Sequence, residues 1–221
     1  MSDLLAIALS FLYVFAVLGA AEVLRRALEL PVEFTRKVVH VAVGMWAFGT
    51  VALFSSRWAA MVPPLAFVVL NYISYRRGTF AAMETGEKSN LGTVYFPLAF
   101  AAMIALFFEV SRSLVVLTLM PMTWGDAFAA VLGRRFGRHR YTVFGATRSL
   151  EGSAAMFVFA WLSVMLSALV FGMSPERALG MGLALAFVST LAEALSVRGL
   201  DNLLVPAACA VVGWLLRSWA M

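Results

Sequence analysis

The chain has 221 residues, 62% of them hydrophobic and 13% charged, with a mean hydropathy of +0.90. A soluble globular domain carries about 45–50% apolar and about 25% charged residues, so this composition excludes an ordinary water-soluble enzyme, a disordered chain and a disulfide-stapled secreted domain. Fifteen Arg and two Lys against twelve acids leave a net charge of +5; in so apolar a chain this points to loop orientation and anionic lipid, and no long basic run suggests nucleic acid.

A membrane-spanning helix needs about 20 mostly apolar residues. Eight segments meet that need in chain order: about 4–24, 38–56, 58–75, 93–108, 113–133, 153–173, 177–196 and 202–219. The fourth and eighth are short and the fifth carries Asp126, so seven spans with one re-entrant segment is the alternative. Runs this continuously apolar demand helices rather than barrel strands. The expected fold is therefore an all-α polytopic transmembrane bundle forming a single domain over 1–221. The first segment lacks a basic leader and is long, which favours an uncleaved span over a signal peptide.

Thirteen of the seventeen cations fall in the odd-numbered loops; Arg57, Arg112, Arg177 and Arg217 are the exceptions. The positive-inside rule then puts both termini outside and the odd loops in the cytoplasm. Seven spans would break the alternation. The long loops at 78–92 and 133–152 both lie on the cytoplasmic side, and long loops in a compact bundle are usually functional. Cys209, the one cysteine, sits in an apolar stretch and has no partner within the chain.

Ionisable groups at membrane depth are costly and mark function by default. Arg36, Lys37 and His40 open the second segment at helical spacing, so one face collects all three and suits an anion such as phosphate; the alternative for Arg36 and Lys37 is interfacial anchoring. The loop Gly86-Glu87-Lys88-Ser89 before the fourth segment superficially resembles a phosphate-binding loop, but the G-x-x-x-x-G-K-[ST] spacing is absent. Asp126 lies in Gly125-Asp126-Ala127-Phe128-Ala129, where Gly125, Ala129 and Gly133 form a stripe that admits a neighbouring helix or a ligand. A carboxylate there, before a basic loop, suggests a polyphosphate carried by Mg²⁺, which takes one or two carboxylates and completes its shell with phosphate oxygens and water. The alternative is a structural Asp–Arg pair.

The basic loop holds Arg134, Arg138, Arg140 and Arg148, then Ser149 and Glu151. Guanidinium forks and glycine-exposed backbone suit a triphosphate; charge alone would equally suit lipid head groups. Glu151 is a candidate second metal ligand beside Asp126. Glu193 lies within the seventh segment, and Asp201-Asn202 begins the eighth, where Asp201 also suits a helix cap. All these groups fall at cytoplasmic ends, which argues for one site facing nucleotide and Mg²⁺. No H-E-x-x-H, C-x-x-C or G-x-S-x-G occurs.

Four motifs in order resemble the polyprenol kinase family of integral membrane proteins, which includes dolichol kinase, phytol kinase and CTP-dependent diacylglycerol kinase. They are R-K-x-x-H (Arg36, Lys37, His40), G-T-x-x-F-P (Gly92 to Pro97), G-D-x-x-A-x-x-x-G-R-x-x-G (Gly125 to Gly137) leading to S-x-E-G-S (Ser149 to Ser153), and E-x-L-S…G-x-D-N-L-x-x-P (Glu193 to Pro206). The resemblance covers about residues 35 to 206. Arg148 stands where the family often has lysine, and the small chain looks closer to the compact phytol-kinase-like members. Phosphatidate cytidylyltransferases share a G-D-x-x-A…E-G segment, but their H-G-G-x-x-D-R-x-D ending is absent.

The resemblance implies transfer of the γ-phosphate of CTP to the hydroxyl of a long-chain isoprenoid alcohol of the phytol, geranylgeraniol or polyprenol type. In that expectation Asp126, with Glu151 or Asp201, holds Mg²⁺, and Arg134, Arg138, Arg140 and Arg148 clamp the triphosphate. Arg36, Lys37, Lys88, Ser149 and Asn202 are further phosphate or nucleotide contacts. Glu193 or His40 orients or deprotonates the alcohol, which enters from the bilayer. The competing readings are a cytidylyltransferase, a diacylglycerol kinase and a transporter; the last lacks Gly/Pro-broken inverted repeats.

Overall fold

The computed structural model describes residues 1–77 and 90–219, so Lys88 and its immediate neighbours Gly86, Glu87 and Ser89 lie outside the described residues. Helix α1 (Asp3–Ala27) opens at Ser2, whose hydroxyl accepts from the Leu5 amide at 3.4 Å. Asp3 in its first turn and Arg25 and Arg26 in its last match the helix dipole. Helix α2 (Val32–Gly44) gives way at Met45 to α3 (Trp46–Leu53). Helix α4 (Arg57–Arg77) carries Pro63 and Pro64, and α5 (Gly92–Phe107) carries Pro97.

The next rod is continuous over Arg112–Phe136: α6 (Arg112–Met120), a π-helical turn (Pro121–Asp126) and α7 (Ala127–Phe136). Every residue from Ser113 to Thr123 is buried, because α3, α5, α8 (Leu150–Val170) and α10 (Asp201–Leu215) pack around it. A helix apolar on all sides belongs in the middle of a bundle. Burial along the most apolar stretch is 78% for this rod but 22% for α1 and for α4. The outer helices instead present Leu12, Phe15, Trp58 and Val69 outward, the surface lipid would cover.

Helix α9 (Pro175–Ala194) starts from Ser174 with Pro175 in its first turn, and it packs on α8 and α10. The stripe of small residues on α7 meets α8. A Cβ on Gly133 would stand 3.2 Å from the Gly152 Cα, and one on Gly152 would stand 3.2 Å from the Ala129 carbonyl oxygen. Close backbone approach of this kind is how helices associate without a hydrophobic driving force.

The expectation of about eight spans holds in part: each of the eight apolar segments is helical, and among the described residues five helices are long and apolar enough to cross a membrane: Asp3–Ala27, Arg57–Arg77, Arg112–Phe136, Leu150–Val170 and Pro175–Ala194. Gly92–Phe107 and Asp201–Leu215 are shorter, and the expected 38–56 segment is broken at Met45 and begins earlier, at Val32. The expectation of one long loop over 133–152 needs correction. Helix α7 runs through Phe136, and β1 (Arg140–Val143) pairs antiparallel with β2 (Ala146–Ser149) in the register Arg140↔Ser149 to Val143↔Ala146. Phe144 and Gly145 at the tip both have positive φ, 49° and 82°, the backbone that a two-residue hairpin needs to follow the strand twist.

Candidate active site

Pro121 has no amide hydrogen for the i−4 carbonyl, and the backbone widens there into the π turn that ends at Asp126. Single π turns inside α-helices frequently sit at functional sites. The Asp126 side chain is aimed at α2: its Oδ2 accepts from Lys37 Nζ at 2.5 Å and lies 3.7 Å from His40 Nε2. Asp126 is only 5% exposed, so the lysine is needed to offset the loss of water around the carboxylate. His40 Nε2 donates to the Met122 carbonyl at 2.9 Å, a hydrogen bond that assigns the neutral ring's free lone pair to Nδ1. The ring rests against Phe96, with centroids 4.4 Å apart.

A second pole forms around Arg148 on β2. Its guanidinium ion-pairs with Glu193 of α9, donates from Nη2 to the Ser196 carbonyl at 2.9 Å and lies 3.9 Å from Asp201 Oδ2. Asp201 Oδ1 accepts from the Asn202 amide and from Asn202 Nδ2 at 3.0 and 3.1 Å. Gly199, at φ +83°, makes the turn before them; a Cβ there would be 2.6 Å from the Gly92 nitrogen and 2.4 Å from Asn90 Oδ1. Asn90 Oδ1 in turn accepts from the Gly92 amide at 3.0 Å. The start of α5 and the start of α10 are thereby held in backbone contact.

Two cavities meet at this cluster. The first is lined at one end by Arg36, Lys37, His40, Asp126, Asp201 and Asn202, and continues between α1, α2–α3, α4 and α5 over apolar side chains. The second is lined by Asp126, Ala129, Arg134, Arg140, Arg148, Ser149, Gly152 and Glu193. Asp126 borders both.

The remaining candidates fall as follows. Glu151 borders neither cavity; its carboxylate accepts from the Arg138 and His139 amides and contacts His139 Nδ1 at 2.7 Å, which folds the entry to the hairpin. Arg138 is exposed and likewise borders neither. Ser149 uses its Oγ to accept from the Gly152 amide and cap α8. Arg134 ion-pairs with Glu33, a link from α7 to α2 that the sequence did not reveal. Asn71 and Thr93, also unforeseen, join α4 to α5 through Nδ2 donating to the Thr93 carbonyl at 2.8 Å. Only the G-T-x-x-F-P motif pointed near that contact.

The donor set fits a divalent metal of the Mg²⁺ kind. Asp126 and Asp201 border the same cavity, and the buried Asn202 Oδ1 has no hydrogen-bond partner. Among the described residues no three His, Cys, Asp or Glu side chains form a ready-made cage. Mg²⁺ needs none, since substrate phosphates and water complete its shell.

No protein-family model matches the sequence. The chain is 31% identical over 212 residues to a phytol kinase of Synechocystis sp., covering 95% of this chain and 91% of that protein. It is 31% identical over 206 residues to a probable chloroplastic phytol kinase of Triticum aestivum, covering 83% and 67%. A chloroplastic farnesol kinase of Arabidopsis thaliana is 24% identical over 238 residues, covering 98% and 76%.

Proposed function

The chain belongs to the phytol kinase family of prenyl-alcohol kinases, and from that premise we propose that it transfers the γ-phosphate of CTP to a prenyl alcohol of the phytol or farnesol type, with Mg²⁺, at the cytoplasmic face of a membrane. The observation that carries this reading is Asp126 on the border of an apolar cavity and an arginine-rich one. The alcohol occupies the first with its hydroxyl beside His40 and Lys37. The triphosphate occupies the second among Arg134, Arg140 and Arg148.

Phosphoryl transfer depends on positioning and charge neutralisation more than on covalent help from the protein. The alcohol oxygen attacks the γ-phosphorus, the bond to the β,γ-bridging oxygen breaks, and nucleoside diphosphate leaves. His40 Nδ1, the free ring nitrogen, accepts the hydroxyl proton; Glu193 faces the other cavity and is already paired with Arg148. The arginines stabilise the charge that builds on the departing phosphate. Mg²⁺ bound by Asp126, Asp201 and Asn202 would neutralise phosphate oxygens. The hairpin bends Arg140 and Arg148 over the triphosphate, and Glu151 holds that hairpin in place. In this reading the bundle crosses the membrane eight times, α2–α3, α5 and α10 completing the five long helices, with both termini outside.

The test is product identification. Purified protein with labelled CTP, phytol and farnesol should yield nucleoside diphosphate and prenyl phosphate, and ATP supplied in parallel should be used less well. Asp126→Asn should lower kcat/KM by about 10²-fold or more. Pyrophosphate release with formation of a nucleotide-linked lipid would overturn the kinase reading.

A further inference from the structure

We infer that the apolar cavity is a blind-ended gauge for the alcohol's chain length, with Phe54, Ala60 and Ile104 as its floor. This rests on the reading that a prenyl alcohol is the acceptor. Four rods each give the cavity one stripe at helical spacing: Ser10, Val14 and Leu18 on α1; His40, Val43, Trp46 and Thr50 on α2–α3; Ala60, Pro63, Phe67 and Asn71 on α4; Thr93, Phe96, Phe100 and Ile104 on α5. Such stripes run along the bundle, so the cavity extends from the charged cluster towards the opposite end.

Among the described residues, the polar side chains of Ser10, Trp46 and Thr50 on the walls below His40 are all hydrogen-bonded within the protein. Ser10 Oγ donates to the Ala6 carbonyl and accepts from Trp46 Nε1, and Thr50 Oγ1 donates to the Trp46 carbonyl. A ligand there gains by being hydrocarbon and loses by carrying a polar group. All the charge sits at one end, so the occupant has one polar head and one unbranching direction to extend.

The far end is shut. Ser10, Phe54, Ala60 and Ile104 are each no more than 2% exposed, and Asp3 Oδ1 accepts from the Ser55 amide at 2.7 Å, closing α1 onto the α3–α4 turn. At about 1.5 Å per residue, the α5 stripe from Thr93 to Ile104 is about 16 Å long. That length suits an extended phytyl or geranylgeranyl chain, leaves space below a farnesyl chain, and falls far short of a polyprenol of dolichol length. Ala60 is the point where bulk would shorten the cavity, and Ile104 the point where its removal would deepen it.

The experiment measures equilibrium binding and, separately, phosphorylation of farnesol, geranylgeraniol and a dolichol-length polyprenol by purified wild type, Ala60→Phe and Ile104→Ala. Wild type should bind the two shorter alcohols and exclude the polyprenol. Ala60→Phe should lower the geranylgeraniol-to-farnesol affinity ratio by about tenfold or more, the scale on which an apolar pocket discriminates chain units, and Ile104→Ala should move the ratio the other way. Reading the ratio cancels any general loss of folded protein. Unchanged ratios in both variants, or polyprenol binding as tight as geranylgeraniol, would overturn the inference and leave the kinase reading standing. Altered binding ratios with no phosphorylation of any alcohol would support the gauge and overturn the kinase.

Discussion

Arg148 answers three oxygen acceptors from one planar group: the Glu193 carboxylate, the Ser196 carbonyl and, more distantly, Asp201. An ammonium is a point charge and cannot fork in this way. Glu193 is 3% exposed, so losing its partner leaves a buried carboxylate alone. Arg148→Met should cost about 3–5 kcal/mol in thermal unfolding in detergent, and adding Glu193→Gln should recover part of that loss. A double variant as unstable as the single one would show that Arg148 acts through other contacts. The sequence pointed to Arg148 and Glu193 as costly groups near one membrane face. Their pairing, 45 residues apart, was not legible, nor was that of Lys37 and Asp126, 89 residues apart. Spacing rules reach only one turn along a helix.

At the scale of elements, the π turn decides where Asp126 points. Pro121 was legible as a break in the fifth segment, but a proline alone does not say whether a helix kinks, ends or widens. In a regular α-helix each residue turns by about 100°, so collapse of the widened turn would swing Asp126 off the line towards Lys37. Pro121→Ala, which restores an amide donor, should therefore lower kcat by about 10²-fold, the loss expected when a reacting group is misplaced by about 1 Å. Elution from gel filtration should be unchanged. Full activity would show that the turn is held by its neighbours and not by the proline. The hairpin escaped the sequence for a related reason. Arginines dominate 134–148, and their charge hides the two-residue tip at Phe144-Gly145 that makes the strands.

At the scale of the molecule, the charge count and the structure agree on one thing: the ionisable groups that line the two cavities gather around Asp126. Orientation is the expectation that follows. With Cys209 wholly buried and so a poor background target, single cysteines can report the two ends separately. Ser55→Cys, in the α3–α4 turn, should react with a membrane-impermeant maleimide in intact cells, and Arg138→Cys only after permeabilisation. The reverse pattern would invert the proposed topology. Eight helical rods were legible because their apolar runs are bounded by charges; the break at Met45 was not, because it is made by tertiary contact. Gly44 there lies against Thr123, where a Cβ would come within 2.3 Å of the Thr123 Cγ2.

The shared border at Asp126 has a kinetic consequence. In the proposed reaction one reactant arrives dissolved in water and the other dissolved in a film, and neither has to change phase to reach the border. The quantity that governs turnover is then the alcohol's mole fraction in the bilayer, not its amount per litre. Adding inert phospholipid at constant total alcohol dilutes the acceptor in two dimensions and slows the reaction, while the nucleotide continues to obey ordinary bulk saturation.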